Sequence, residues 1–433
     1  MLKPVLEIFV LWHPSDAQGE ALAAELAAHF HGGLYNSLLA GSIEVYMRSA
    51  GWASQADAPR PIPLPGGAAD AGLPRPADFV AIVPLLSTAM LRAVDRAGDP
   101  WRACLEGLCK AQGHDPAHVT LLPIRQGVSP AGRLAELIAN TQYIGEPDPH
   151  TELPEPTHEL RCRDLVQALA QWISPVAGEQ LRVFISHTKR QGTPEEPVAA
   201  LVAAVRSVFG AGRIASFYDA HELQPGEDWN RALRGGAATS ALLALRTDLY
   251  ASREWCQREM LTAKVHGMPV VVLDALSNGE SRGSFLMDHT PRIPVRCDKP
   301  GEWGTAAVRR AINLLADAWL HRVIWLRLAA QAEGHTGLGR YWWAPQAPEP
   351  STLARWLTAP LPPASMAPAD AVLTVPGASP RMPAQAAGSS VRILHPDPPL
   401  AEDEREVLQT LVSLAGYGAL DLATPHTLAA RGA

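Results

Sequence analysis

Short apolar runs alternate with amphipathic segments along most of the chain. The runs at residues 181–186, 214–218 and 240–245 each lead into a polar loop, and a further run covers residues 269–273. Runs of this length predict buried strands, and the longer segments between them predict helices. Strands that alternate with helices favour a parallel sheet covered on both faces. The predicted fold class is therefore α/β, with flavodoxin-like, doubly wound parallel sheets.

A tryptophan and a glutamate lie close together near the start of one predicted helix. Ser252 is placed to cap this helix, and Glu254 falls in its first turn, where the helix dipole favours a negative charge. The i, i+4 spacing sets Trp255 and Glu259 on one face. For this segment alone, the more ordinary interpretation is a core tryptophan and a solvated glutamate beside Arg258.

Polar residues also follow the neighbouring predicted strands. Ser186 and His187 come after the first strand, Asp219 after the second, and Trp255 and Glu259 after the third. Ligands of parallel α/β sheets bind beyond the carboxyl ends of the strands, so these side chains form one candidate site. Ser186 and Asp219 fit equally well as capping and turn residues.

Three separated motifs carry a family resemblance. They are FISH at residues 184–187, FYDAHELQPGEDW at residues 217–229 and SREWCQREMLTAK at residues 252–264. On these motifs, residues 181–318 resemble a Toll/interleukin-receptor (TIR) domain of the bacterial kind. In that family, a Trp-x-x-x-Glu pair marks the members that cleave NAD+ at the bond between nicotinamide and ribose.

The resemblance implies a role for each polar residue of the candidate site. Glu259 would be the catalytic glutamate, with Trp255 beside it in the wall of the site. The other residues implied in NAD+ binding are Phe184, Ser186, His187 and Asp219. The resemblance also implies that the loop at residues 221–228 controls activity and that TIR–TIR contacts complete the site in an assembly.

Cleavage of NAD+ at the nicotinamide bond requires few catalytic groups. Ordinary glycosidases use two carboxylates, because the leaving alkoxide must be protonated while a second group stabilises the cationic sugar. Nicotinamide leaves as a neutral molecule, so one carboxylate near the anomeric carbon suffices. Glu259 fits this role, whereas the departure step does not need His187 as a general base. NAD+ is the expected substrate, and no cofactor or metal ion is expected.

An earlier part of the chain repeats the same plan. EIFVLWHPSD at residues 7–16 parallels RVFISHTKRQ at residues 182–191. Residues 1–176 are therefore interpreted as a diverged TIR-like domain, followed by the catalytic TIR domain at residues 177–331. The alternative is that any two doubly wound domains share this general pattern.

The first copy lacks a carboxylate at the expected position. Trp101 is followed four residues later by Leu105, and Glu106 comes one position too late. One residue on a helix is a rotation of about 100°. The first copy is therefore expected to be noncatalytic and to act in assembly, regulation or sensing.

The remainder of the chain divides into three segments. Apolar residues at every third or fourth position predict one long helix over residues 304–331. Residues 332–390 are predicted to be a Pro/Ala-rich linker region, and residues 391–433 a small C-terminal α/β segment.

Composition narrows the class of protein. A net charge of -7 offers no broad basic face, so direct nucleic-acid binding is not expected. The five cysteines contain no Cys-x-x-Cys pair, which favours reduced thiols. No apolar stretch has the length of a membrane span. We expect a soluble, cytoplasmic protein of two or three domains that does not bind membranes.

The resulting hypothesis is that the protein is an NAD+ hydrolase. The same chemistry is compatible with ADP-ribosyl cyclase activity. The resemblance further implies a bacterial antiphage immune effector that works as a homo-oligomer or hetero-complex. Two alternatives belong to other classes: a noncatalytic scaffold that recruits partners through homotypic TIR contacts, and a sensor that binds an NAD-derived nucleotide without cleaving it.

Overall fold

A computed structural model describes residues 2–54, 57–65, 77–139, 141, 143–144, 157–176, 180–188, 198–210, 217–218, 236–299, 302–358 and 388–431. The chain forms two compact units, Met1–Ile173 and Ser174–Ala433. The boundary predicted from the sequence lies after residue 176. Both units contain parallel sheets with helices, so the α/β fold class is confirmed.

The first unit is built on a parallel sheet with strand order β2-β1-β3-β4, and β5 pairs with the end of β3. Its strands are β1 (Leu6–Leu11), β2 (Ile43–Arg48), β3 (Phe79–Leu86), β4 (Val119–Leu121) and β5 (Ile124–Arg125). Its helices are α1 (Ala17–Phe30), α2 (Thr88–Asp95), α3 (Pro100–His114), α4 (Gly132–Leu137) and α5 (Thr157–Ile173). Every residue of β1 and β3 is buried, as expected for strands covered on both faces.

The second unit has the sheet order β10-β9-β8-β6-β7, in which the first four strands repeat the order of the first unit and the fifth, β10, pairs with β9. The strands are β6 (Val183–Ser186), β7 (Phe217–Tyr218), β8 (Ala241–Arg246), β9 (Val270–Asp274) and β10 (Arg292–Pro294). The helices among them are α6 (Val198–Gly210) and α7 (Glu254–Val265). Strand β6 pairs with β7 on one side and with β8 on the other, so the direction in which strands are added reverses at β6. The crevice beyond the carboxyl ends of β6 and β8 is therefore a topological switch point, where such sheets bind ligands.

A hairpin and a long helix follow this sheet. The hairpin strands are β11 (Cys297–Lys299) and β12 (Glu302–Trp303), and the helix is α8 (Thr305–Ala332). The helix predicted over residues 304–331 is thus confirmed. Its regularly spaced apolar side chains, including Val308, Ile312 and Trp319, are all buried. None of the described helices is both long enough and apolar enough to cross a membrane.

The C-terminal part of the second unit contains a three-stranded parallel sheet with helices, and two of its three strands lie within residues 391–433. Its elements are β13 (Trp342–Trp343), α9 (Pro350–Thr358), β14 (Val391–Leu394), α10 (Glu402–Leu414), β15 (Leu420–Ala423) and α11 (Pro425–Ala430). Two of these elements lie inside the predicted linker, which is a difference from the expectation. Trp342, Leu353 and Trp356 enter one core with β14 and α10. Residues 359–387 of that linker lie outside the described residues.

The C-terminal segment is anchored to the end of α7. Lys264 and Glu349 form a buried ion pair that joins α7 to the residue just before α9. The indole Nε1 of Trp356 donates to the carbonyl of Val265 at 3.0 Å. The helix that carries Glu259 is therefore held at its far end by the C-terminal segment.

Candidate active site

Three buried polar side chains meet at the carboxyl edge of the second sheet. The Ser186 hydroxyl donates to Oε2 of Glu259 at 2.6 Å. The hydroxyl of Tyr250 lies 2.7 Å from Oγ of Ser186. Exposure of the three residues is 1% for Ser186, 7% for Glu259 and 0% for Tyr250. The sequence predicted that Ser186 and Glu259 would lie at one edge, and the structure brings them into contact.

Strand pairing explains this meeting. Ser186 is the last residue of β6, and it lies in register with Ala244 on β8. Beyond β8 the chain makes a 3₁₀ turn at Tyr250–Ser252 and then enters α7. Tyr250 lies in the turn after β8 and Glu259 in the helix that follows it, whereas Ser186 lies on the neighbouring strand β6. The arrangement lies at the topological switch point, where a ligand is expected.

The start of α7 differs slightly from the prediction. The helix begins at Glu254 with Arg253 as its N-cap residue, whereas Ser252 was expected to cap it. The hydroxyl of Ser252 instead donates to the carbonyl of Leu249 at 2.8 Å. The 3₁₀ turn uses Ser252 in its own hydrogen bonding, which moves the helix start by one residue.

Burial fixes the protonation of two neighbours of the carboxylate. Burial, together with nearby Cys256 and Glu259, raises the pKa of Tyr250 well above its usual value, so its hydroxyl keeps its proton. Burial also raises the pKa of the Cys256 thiol, again assisted by Glu259. A neutral thiol is a poor nucleophile, so Cys256 does not fit a covalent mechanism.

Trp255 lies on α7, one helical turn before Glu259. Its ring is half-buried, and the guanidinium carbon of Arg258 lies 4.9 Å from the ring centroid. Arg258 also forms an ion pair with Glu254 one turn earlier. Arg258 therefore covers one face of the indole, and a planar ligand that stacks on that face must displace it.

The remaining predicted residues have different surroundings. Phe184 is 1% exposed and packs in the core of the second unit, and its contact with NAD+ stays a prediction. His187 is half-buried, and its Nδ1 lies 3.0 Å from the carbonyl oxygen of Thr188. Asp219 and the loop at residues 221–228 lie outside the described residues.

Sequence reasoning missed a charged cluster at the same edge. Arg246 at the end of β8 donates to both carboxylate oxygens of Glu280, at 3.0 and 2.6 Å, and to Asp274 at 3.1 Å. The hydrogen bonds to Glu280 are the main cause that raises the pKa of Arg246. Arg246 and Asp274 each end an apolar run of the sequence, and these opposite charges were the available signal for the contact. The two residues are in register on adjacent strands. The guanidinium is neutralised by two carboxylates, so the cluster fixes the loop after β9.

The first unit has an apolar residue at the corresponding place. Trp101 and Leu105 on α3 are buried, with Leu105 only 2% exposed. Glu106 instead accepts hydrogen bonds from Arg133 at 2.7 and 3.0 Å and from Arg102 at 3.3 Å. These contacts, led by Arg133, lower the pKa of Glu106. The carboxylate of the first unit therefore forms surface ion pairs.

Comparisons add no family to these observations. No protein-family model matches the chain, and no curated protein matches it. Among the residues that the structure describes, no group of three or more His, Cys, Asp and Glu side chains could hold a metal ion.

Proposed function

We propose that the protein is an NAD+ nucleosidase that hydrolyses the bond between nicotinamide and ribose. The observation that carries the proposal is the buried Glu259 carboxylate, held by Ser186 at 2.6 Å at the switch point of a parallel sheet. The motifs that resemble bacterial TIR domains coincide with these residues.

The chemistry needs a fixed negative charge. As the bond to nicotinamide breaks, positive charge develops on the ribose ring, and the departing base carries away the bonding electrons as a neutral molecule. A carboxylate on the ribose side stabilises this charge more strongly where water is scarce. Glu259 is nearly buried and oriented by Ser186, so little reorganisation is needed when the charge appears.

Other parts of the proposal follow the resemblance. Trp255 would stack on a ring of the dinucleotide, with His187 and Asp219 near its sugar or phosphate groups. The loop at residues 221–228 would complete the site when chains assemble as a homo-oligomer or hetero-complex. In a bacterial cell, such an enzyme would act as a cytoplasmic antiphage effector by depleting NAD+ or by making a linear or cyclic ADP-ribose product.

The test is nicotinamide release from NAD+ by the full chain, measured at low and high protein concentration. Glu259→Gln removes the charge with little change of shape, and we expect a loss of at least about a hundredfold in kcat. The matched control is Glu406→Gln, an exposed glutamate on α10, which should keep wild-type turnover. Equal turnover by the Glu259→Gln protein would contradict the proposal, as would no release by the wild-type protein at any concentration.

A further inference from the structure

The hydroxyl groups of Tyr250 and Ser186 form a hydrogen-bonded row that ends at the Glu259 carboxylate. Tyr250 is fully buried, so a substrate cannot contact it, yet its hydroxyl lies 2.7 Å from Ser186. Ser186 in turn contacts Glu259 at 2.6 Å. Ser186 therefore connects the Tyr250 hydroxyl to the Glu259 carboxylate by two short hydrogen bonds.

Hydrogen bonding sets the direction of this row. An ionised carboxylate only accepts hydrogen bonds, and a serine hydroxyl has a single proton to donate. Because Ser186 donates to Glu259, the proton between Ser186 and Tyr250 must come from Tyr250. A donor at one side of a hydroxyl strengthens the bond that this hydroxyl donates on the other side.

We propose that Tyr250 is a positioning residue for NAD+ cleavage: it donates to Ser186 and thereby fixes the Ser186 hydroxyl on the Glu259 carboxylate. This inference rests on the proposed function of Glu259. The tyrosine ring is buried in the core, and its hydroxyl orients Glu259 through Ser186 without contacting the substrate.

Tyr250→Phe tests the role because it keeps the ring and removes only the hydroxyl. Without that donor, the hydrogen bond from Ser186 to Glu259 is weaker, and the carboxylate is held less firmly when charge develops. We expect kcat to fall about tenfold, with KM within about twofold of wild type, because the lost bond lies behind the reacting groups. An unchanged kcat would overturn the proposal.

A matched control separates this effect from the general loss of a tyrosine hydroxyl. Tyr341 donates to the Asp421 carboxylate at 2.9 Å in the C-terminal segment of the same unit. Tyr341→Phe removes a tyrosine–carboxylate bond away from Glu259 and should leave kcat unchanged. An equal fall in both variants would show a nonspecific effect and would overturn the proposal.

A double-mutant cycle tests the path through Ser186. Ser186→Ala breaks the row at its middle, so adding Tyr250→Phe should cost little more activity. If the two losses multiply, Tyr250 does not act through Ser186. Ser186→Ala also interrupts the row if Tyr250→Phe fails to fold, and wild-type kcat in Ser186→Ala would then overturn the proposal.

A spectroscopic measurement makes the inference independent of turnover. The infrared difference between wild type and Glu259→Gln isolates the carboxylate stretch of Glu259. We expect this band to shift in Tyr250→Phe and to stay in place in Tyr341→Phe. An unmoved band in Tyr250→Phe would overturn the positioning role, whereas absence of nicotinamide release by wild type would overturn only the proposed function.

Discussion

Ser186 contacts the carboxylate of Glu259 on one side and the hydroxyl of Tyr250 on the other. The first two residues were predicted from the sequence, since both follow apolar strands whose carboxyl ends must share an edge. Tyr250 was not, because a tyrosine directly after an apolar run has the same pattern as an ordinary core residue. Only the pairing of β6 with β8 brings its hydroxyl to Ser186.

Another buried titratable residue lies in α8. Burial lowers the pKa of His321 from its usual 6.5 to about 4. Between these two values the unfolded chain binds a proton that the folded chain does not. The contribution of His321 to stability is therefore full above pH 6.5 and decreases as the pH falls toward 4.

The variant His321→Leu removes this titration. The loss of unfolding free energy between pH 7 and pH 5 should be smaller in the variant by about 2 kcal/mol. Denaturant unfolding at the two pH values measures the difference, with the exposed His426→Leu as the control. If His321→Leu loses as much stability as wild type over this range, the buried neutral state of His321 is contradicted.

Among the elements, hydrophobic periodicity predicted α8 almost to the residue, because a long stripe of buried positions dominates its sequence. The linker prediction was less successful. Prolines and alanines dominate the composition after Trp343, and they obscured the apolar residues Leu353 and Trp356 that form a core with the C-terminal sheet. Composition describes an average, whereas a core needs only a few well-placed large side chains.

The junction between α7 and the C-terminal segment depends on a glycine. Gly267 has φ +63°, and a Cβ atom there would lie 2.3 Å from Cγ of Pro345. Gly279 also has a positive φ, +91°, but no neighbour within 4 Å of the corresponding position. The two glycines therefore share backbone strain on substitution and differ only in the clash.

Gly267→Ala should lower the unfolding free energy more than Gly279→Ala does, by about 1–3 kcal/mol. The comparison separates the contact with Pro345 from the cost of a positive φ in alanine. Denaturant unfolding of the two full-length variants provides the measurement. Equal losses would mean that the C-terminal segment does not pack tightly on this turn.

In the molecule as a whole, two sheets that share the order of their first four strands carry different residues at corresponding places. The second unit has the buried Glu259, and the first has the buried Leu105. The repeated apolar pattern made the shared α/β architecture predictable. The chemical difference rests on one helical position, which the spacing of Trp101, Leu105 and Glu106 already indicated.

This division predicts that the Glu106 carboxylate of the first unit takes no part in turnover. Glu106→Gln removes the carboxylate that pairs with Arg102 and Arg133, and nicotinamide release should stay at the wild-type rate. The side chains involved are partly exposed, so we also expect only a small change in stability. A large fall in kcat without loss of folding would show that the first unit contributes to catalysis.

The proposed NAD+ nucleosidase activity depends on Glu259 as its catalytic carboxylate. The most direct measurement is nicotinamide release by wild type and by Glu259→Gln, side by side at the same high protein concentration. We predict release by the wild-type protein and a loss of at least about a hundredfold in the variant. Equal release by the two proteins, or none by wild type, would contradict it.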